Sequence, residues 1–176
     1  MSIELLLSIQ KCFESAKDLR TPGLILIYAT IDIMGSLERP EGRDQSSKED
    51  FRAWADKYVI GNARLECTSL DLYAARCAIV HTFTANTKLV RSGRAVRILY
   101  SWGQKGTRYH NWRMELGGIP SFMIHVDTFY AGLALGVGAF REDVARDERL
   151  AKMVYRRADN LIVNVPIEIN GERITG

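Results

Sequence analysis

The sequence predicts a mostly α fold, an antiparallel helical bundle with a small β-hairpin or sheet element placed after its fourth helix. Two observations predict it. Apolar residues recur at helical spacing over about 2–90 and again over 127–158, whereas the stretches 94–125 and 160–175 alternate or turn in the manner of short strands. The 176 residues contain no internal repeat and no linker, so both patterns belong to a single domain covering 1–176.

The elements follow in order. Leu5, Ile9, Cys12, Ala16 and Leu19 are spaced by four and three, which makes 2–19 an amphipathic helix. Thr21-Pro22 supplies a cap and a proline for the start of the next helix, 24–37. That helix is apolar almost all round and must be central, and Asp32 is its one charge before Glu38. A polar loop follows, and Ser46 with Glu49 reads as a capping box for a helix over 47–59, ended by Gly61-Asn62. Thr68 with Asp71 caps a helix over about 69–84.

Beyond Gly93, residues 96–100 read as a strand, Gly103 to Gly106 as a turn, and 121–126 as a second short strand. Residues 109–112 read as a loop. Asp127 opens a helical stretch to about Ala158, with a break expected near Gly136-Val137-Gly138, and Gly132 with Gly136 lets helices approach closely. Asn170-Gly171 between Ile169 and Glu172 is a hairpin signal.

Composition removes several classes of function. A chain that is 47% hydrophobic and 26% charged, with four prolines, is neither disordered nor fibrous. Its most apolar stretch, 122–140, contains His125, Asp127 and several glycines, so no membrane span is expected. The first residues carry Glu4 and Lys11 and lack a small-residue cleavage site, unlike a signal peptide. Cys12, Cys67 and Cys77 are odd in number and form no C-x-x-C pair. No disulfide framework, metal site or cofactor is indicated, and the expected compartment is the reducing cytoplasm.

Charge is informative in its distribution. The net charge is only +3, yet 72–114 contains no Asp or Glu and holds Arg76, Lys88, Arg91, Arg94, Arg97, Lys105, Arg108 and Arg113. Tyr100, Trp102, Tyr109 and Trp112 are threaded among them. Basic side chains with interleaved rings can follow a phosphate backbone and stack unpaired bases, which makes Lys88 to Arg113 a candidate surface for single-stranded RNA. The plainer alternative is a solvated hairpin whose arginines pair with acids from elsewhere.

The helix over 69–84 carries the remaining chemistry. Leu72, Ala75, Ile79 and Phe83 form one apolar stripe, and Leu70, Ala74, Cys77 and His81 form a second on nearly the opposite side. A helix with two apolar faces packs on two things, and the second is expected to be a partner subunit. Arg76 and His81 form an R-x4-H pattern, about 140° apart on a straight α-helix, so they converge only at a two-fold interface or where the helix is distorted. Arg76 and Asp32 are isolated charges on apolar helices, and a buried ion pair between them is expected.

R-x4-H within LYAARCAIVHTFT, preceded by the IYATIDIMGSL helix and the capped helix at 47–59, resembles the HEPN superfamily. The resemblance covers roughly residues 1–90. It implies a homodimeric helical protein, in many members a metal-independent ribonuclease of a toxin–antitoxin or defence type, with an antitoxin protein as partner. It further implies His81 as general acid or base toward a ribose 2′-OH and Arg76 as the stabiliser of the charged phosphorane. Imidazole titrates near neutrality and guanidinium binds phosphate oxygens in pairs, so the residue types suit those roles. Cys77 stands where active members carry a polar residue. A non-catalytic homodimeric interaction module is therefore the alternative, with Arg76 serving only to hold Asp32.

Overall fold

The structure is a computed structural model and describes residues 20–82, 85–102, 111–159, 168–169 and 172–173, with the backbone alone at 20, 81, 82 and the last two segments. The expected helix over 2–19 lies outside these residues. Helix α1 (Arg20–Glu38) has Pro22 in its first described turn. It buries Leu24, Ile27, Tyr28, Ile31, Met34 and Leu37, which is the central position its composition requires.

Helix α2 (Lys48–Trp54) continues through a wider π turn (Ala55–Ile60). Its cap is Ser47 with Asp50, one residue later than the expected Ser46 with Glu49. Asp50 accepts from the Ser47 amide at 2.8 Å and from its hydroxyl at 2.9 Å, and it also holds Arg43. An aspartate already buried by an arginine out-competes an exposed glutamate as the third residue of the box. Helix α3 (Ser69–Cys77) starts at the Thr68–Asp71 box and continues as a π turn (Ala78–Thr82). A single turn, α4 (Lys88–Arg91), leads into the sheet.

The sheet has the order β1-β3-β2, with β1 (Arg97–Ser101) parallel and β2 (Trp112–Leu116) antiparallel to β3 (Ile119–His125). Asp71 ties helix to sheet by accepting the Val96 amide at 2.6 Å. Residues 112–116 form a strand rather than ending a loop. The signal is Gly117-Gly118, both at positive φ, which closes a two-residue hairpin onto β3. The expected turn at Gly103 to Gly106 lies outside the described residues.

Helix α5 (Val126–Arg146) is unbroken, and the interruption falls at Asp147 before α6 (Glu148–Ala158). Asp147 leaves helical dihedrals and caps α6 by accepting from the amides of Arg149 at 2.9 Å and Leu150 at 3.0 Å. Gly136 does not break the helix, because its missing side chain is used for packing: a Cβ there would strike the Tyr58 carbonyl, and one at Gly132 would strike Ala63. Strands β4 (Glu168–Ile169) and β5 (Glu172–Arg173) pair antiparallel; the Asn170-Gly171 turn expected between them lies outside the described residues. Among the described residues, no helix is long and apolar enough to cross a membrane.

Candidate functional site

Arg76, in the last turn of α3, donates from Nε to Asp32 Oδ2 on α1 at 2.7 Å. The two side chains retain 23% and 31% exposure, so the expected burial of this pair is corrected: it forms the wall of an open groove. Asp32 falls beside Ile33 and Ser36, one step round the helix from the buried stripe of Ile27, Ile31 and Met34. The groove, about 390 Å³, is completed by Ser46, Ser47, Lys48 and Tyr73. Burial works against the Arg76 charge, but the hydrogen bond and charge of Asp32 outweigh it, so the guanidinium is held more firmly protonated than usual. Burial, with Cys77 alongside, pushes the Tyr73 hydroxyl up.

His81 lies in the π turn, and its side chain is outside the described residues. Its backbone position still matters. A π turn spreads fewer degrees over each residue than an α turn, so position 81 sits closer round the helix to Arg76 than the 140° expected of a straight α-helix. The second apolar stripe is a different matter. Ala74 is 0% exposed within the single chain, packed as α3 threads between α2 and β1. Leu70 and Cys77 are half-buried. Of the stripe expected to meet a partner subunit, Ala74 is thus internal, while Leu70 and Cys77 keep part of their surface.

The basic segment divides. Lys88, Arg91 and Arg94 are exposed on α4 and the turn after it, where Arg91 Nη1 donates to the Asn86 carbonyl at 2.7 Å and Arg94 Nε to Ser92 Oγ at 3.2 Å. Arg113 is exposed on β2, and its Nη2 donates to the Glu66 carbonyl at 2.7 Å. None of these four forms an ion pair with a carboxylate among the described residues.

Arg97 corrects the reading of this segment as uniformly exposed. It is 8% exposed, donates from Nε to Ser121 Oγ at 2.9 Å and from Nη2 to the Leu116 carbonyl at 2.5 Å, and so locks β1 across β3 to the hairpin end. It offers nothing to a ligand. Lys105 and Arg108 lie outside the described residues, as does Tyr109. Of the rings, Trp102 and Trp112 stand open at 38% and 41%, while the Tyr100 hydroxyl is engaged with that of Tyr28 at 2.5 Å.

One charged cluster had no sequence signal. Lys57 Nζ bridges Glu38 at 2.8 Å and Asp143 at 3.2 Å, and Tyr58 Oη lies 3.1 and 2.8 Å from the same carboxylates. It clamps the ends of α1 and α5 to the π turn, and its members lie too far apart in sequence for any spacing rule. No family model, curated protein or solved structure matches the chain.

Proposed function

We propose that this chain is a HEPN-like RNA-binding protein that holds single-stranded RNA on the basic segment between Lys88 and Arg113. The observation that carries the reading is the exposure of Lys88, Arg91, Arg94 and Arg113 without a carboxylate partner among the described residues. Elsewhere among the described residues Arg43, Lys48, Lys57, Arg76, Arg146, Arg149 and Lys152 are matched to acids, while Arg64 and Arg141 are exposed singly without an ion pair; only in the acid-free stretch do several such cations fall together. The plainer alternative, arginines consumed by acids from other segments, requires the opposite. Cations left unmatched on a surface attract a polyanion, and Trp102 and Trp112 add faces on which unpaired bases stack.

The test is titration of a fluorescent single-stranded RNA at several salt concentrations. Binding should weaken with a slope of about −0.7 per phosphate contacted. Lys88→Glu, Arg91→Glu and Arg94→Glu together should lower affinity for every sequence while leaving the thermal midpoint unchanged. Absence of binding at low salt would refute the proposal.

A second reading, cleavage of that RNA, is favoured by the π turn alone. It brings position 81 round toward Arg76, and such turns recur at functional sites. In this reading His81 moves the proton, and Arg76, oriented by Asp32, meets the phosphate. His81→Ala should then reduce cleavage by about 10²–10⁴. Binding should be retained, and cleavage should persist in EDTA. RNA bound intact by the purified wild type leaves the non-catalytic module.

A further inference from the structure

Strand β2 is an edge of the sheet, and its residues read Trp112-Arg113-Met114-Glu115-Leu116. The register on β3 sets which backbone groups remain at that edge. Glu115 stands opposite Pro120, which has no N–H to give, so this pair occupies a non-hydrogen-bonded place in the ladder. Pairs alternate, and Arg113 opposite Phe122 is of the same kind. The N–H and C=O groups of Arg113 and Glu115 therefore point outward from the sheet, and the side chains of Trp112 and Leu116 stay 41% and 50% exposed. A row of outward donors and acceptors beside exposed apolar side chains is a template for another strand.

The geometry points to a second copy of this chain as that strand, pairing β2 to β2 about a two-fold axis at Met114. The segment is complementary to itself when reversed. Antiparallel pairing centred on Met114 sets Arg113 against Glu115 of the second copy and Trp112 against its Leu116. The first combination matches opposite charges, and it falls on the two residues whose backbone groups are free to exchange hydrogen bonds, four bonds in all. The second falls on a non-hydrogen-bonded place, where side chains approach most closely. A register shifted by one residue loses both matches, because it sets charges against apolar side chains. The result is one continuous six-stranded sheet through an isologous contact. This surface is distinct from the α3 stripe and does not depend on RNA binding; in the dimer Arg113 and Trp112 are taken up by the contact, which leaves Lys88, Arg91 and Arg94 to the nucleic acid.

Light scattering or sedimentation on the full chain tests it. The wild type should show about 40 kDa at about 100 µM, well above the Kd of a micromolar pair, against 19.9 kDa for one chain. Glu115→Pro removes only an outward N–H and should halve the mass with the circular dichroism unchanged. Arg113→Glu sets like charges opposite one another and should also give monomer. The double change Arg113→Glu with Glu115→Arg restores opposite charges and should restore the dimer. That rescue decides the matter even where Glu115→Pro fails to fold. A monomeric wild type, a dimer indifferent to Arg113→Glu, or a double variant that stays monomeric would each overturn the inference.

Discussion

Arg94 and Arg97 are three residues apart in one acid-free segment, and the structure gives them opposite work. Arg97 is 8% exposed with its guanidinium on Ser121 Oγ and the Leu116 carbonyl, whereas Arg94 is exposed and touches only Ser92. Arg97→Ala removes two buried methylenes, worth roughly 1.6 kcal/mol. It also leaves the buried Ser121 hydroxyl and the part-buried Leu116 carbonyl short of a donor, worth roughly 1–3 kcal/mol more. Relief from holding a charge out of water offsets part of this, so a net loss of about 3 kcal/mol is expected. In a chain of this size that lowers the midpoint by roughly 6–12 °C. Arg97→Met keeps the stem and sheds the charge, and should cost only about 1 kcal/mol. Arg94→Ala should leave the midpoint within about 1 °C, because surface changes seldom exceed 0.5 kcal/mol. RNA affinity, measured per folded molecule, should fall for Arg94→Ala and hold for Arg97→Met. An Arg97→Met protein of unchanged midpoint and weakened RNA binding would refute this division of labour.

Two further outcomes follow from packing and from the charged clamp. A Cβ on Gly35 would lie 2.7 Å from the Asp50 carbonyl oxygen, so Gly35→Ala must push α1 from α2 and should cost about 1–3 kcal/mol in chemical denaturation. Gly138 meets nothing within 4 Å, and Gly138→Ala in α5 should instead stabilise by up to about 1 kcal/mol. The Tyr58 hydroxyl, then Lys57, holds the Asp143 carboxyl below its ordinary 3.8. A lowered carboxylate contributes stability that is present above the ordinary value and is lost as pH falls through the folded one. The midpoint of the wild type should thus fall more steeply below about pH 4 than that of Asp143→Asn, and parallel acid limbs would exclude the clamp.

What could be read from the sequence was local. The central place of α1 follows from a helix with almost no polar face, and the Thr68–Asp71 box from three residues of chemistry. The antiparallel pairing of β4 with β5 is equally local. Apart from the one-residue shift of the α2 cap and the strand at 112–116, the misses depend on partners distant in sequence. Arg97 looks like its exposed neighbours until Ser121 and the end of β2 are brought against it. Gly136 looks like a breaker until the Tyr58 carbonyl is found where its side chain would be. Ala74 looks like an interface residue because periodicity shows that a face is apolar and cannot show that β1 and α2 both cover that helix. The site shares this limit: charge isolation identified Asp32 and Arg76 as partners, and the groove beside them came only with the fold.

The two proposals meet in a consequence that neither has alone. In the register Arg97↔Ser121 and Met114↔Ser121, one row crosses the sheet from the foot of β1 to the two-fold axis. With β2 edges paired, that row runs on into the second copy, and the two Arg97 positions stand five strand spacings, about 24 Å, apart. Each is preceded by α4, bearing Lys88 and Arg91, and by the turn after it, bearing Arg94. A single strand long enough to reach both turns is then held twice, and the second contact is intramolecular. Its affinity should exceed that of a short strand by more than the ratio of lengths, by about 10² or greater. Glu115→Pro should remove this excess while leaving the short strand held as before, since Lys88, Arg91 and Arg94 lie on a separate part of the chain. Equal losses for short and long RNA would place the edge within a single binding site instead, and no loss for either would show that the two basic turns act alone.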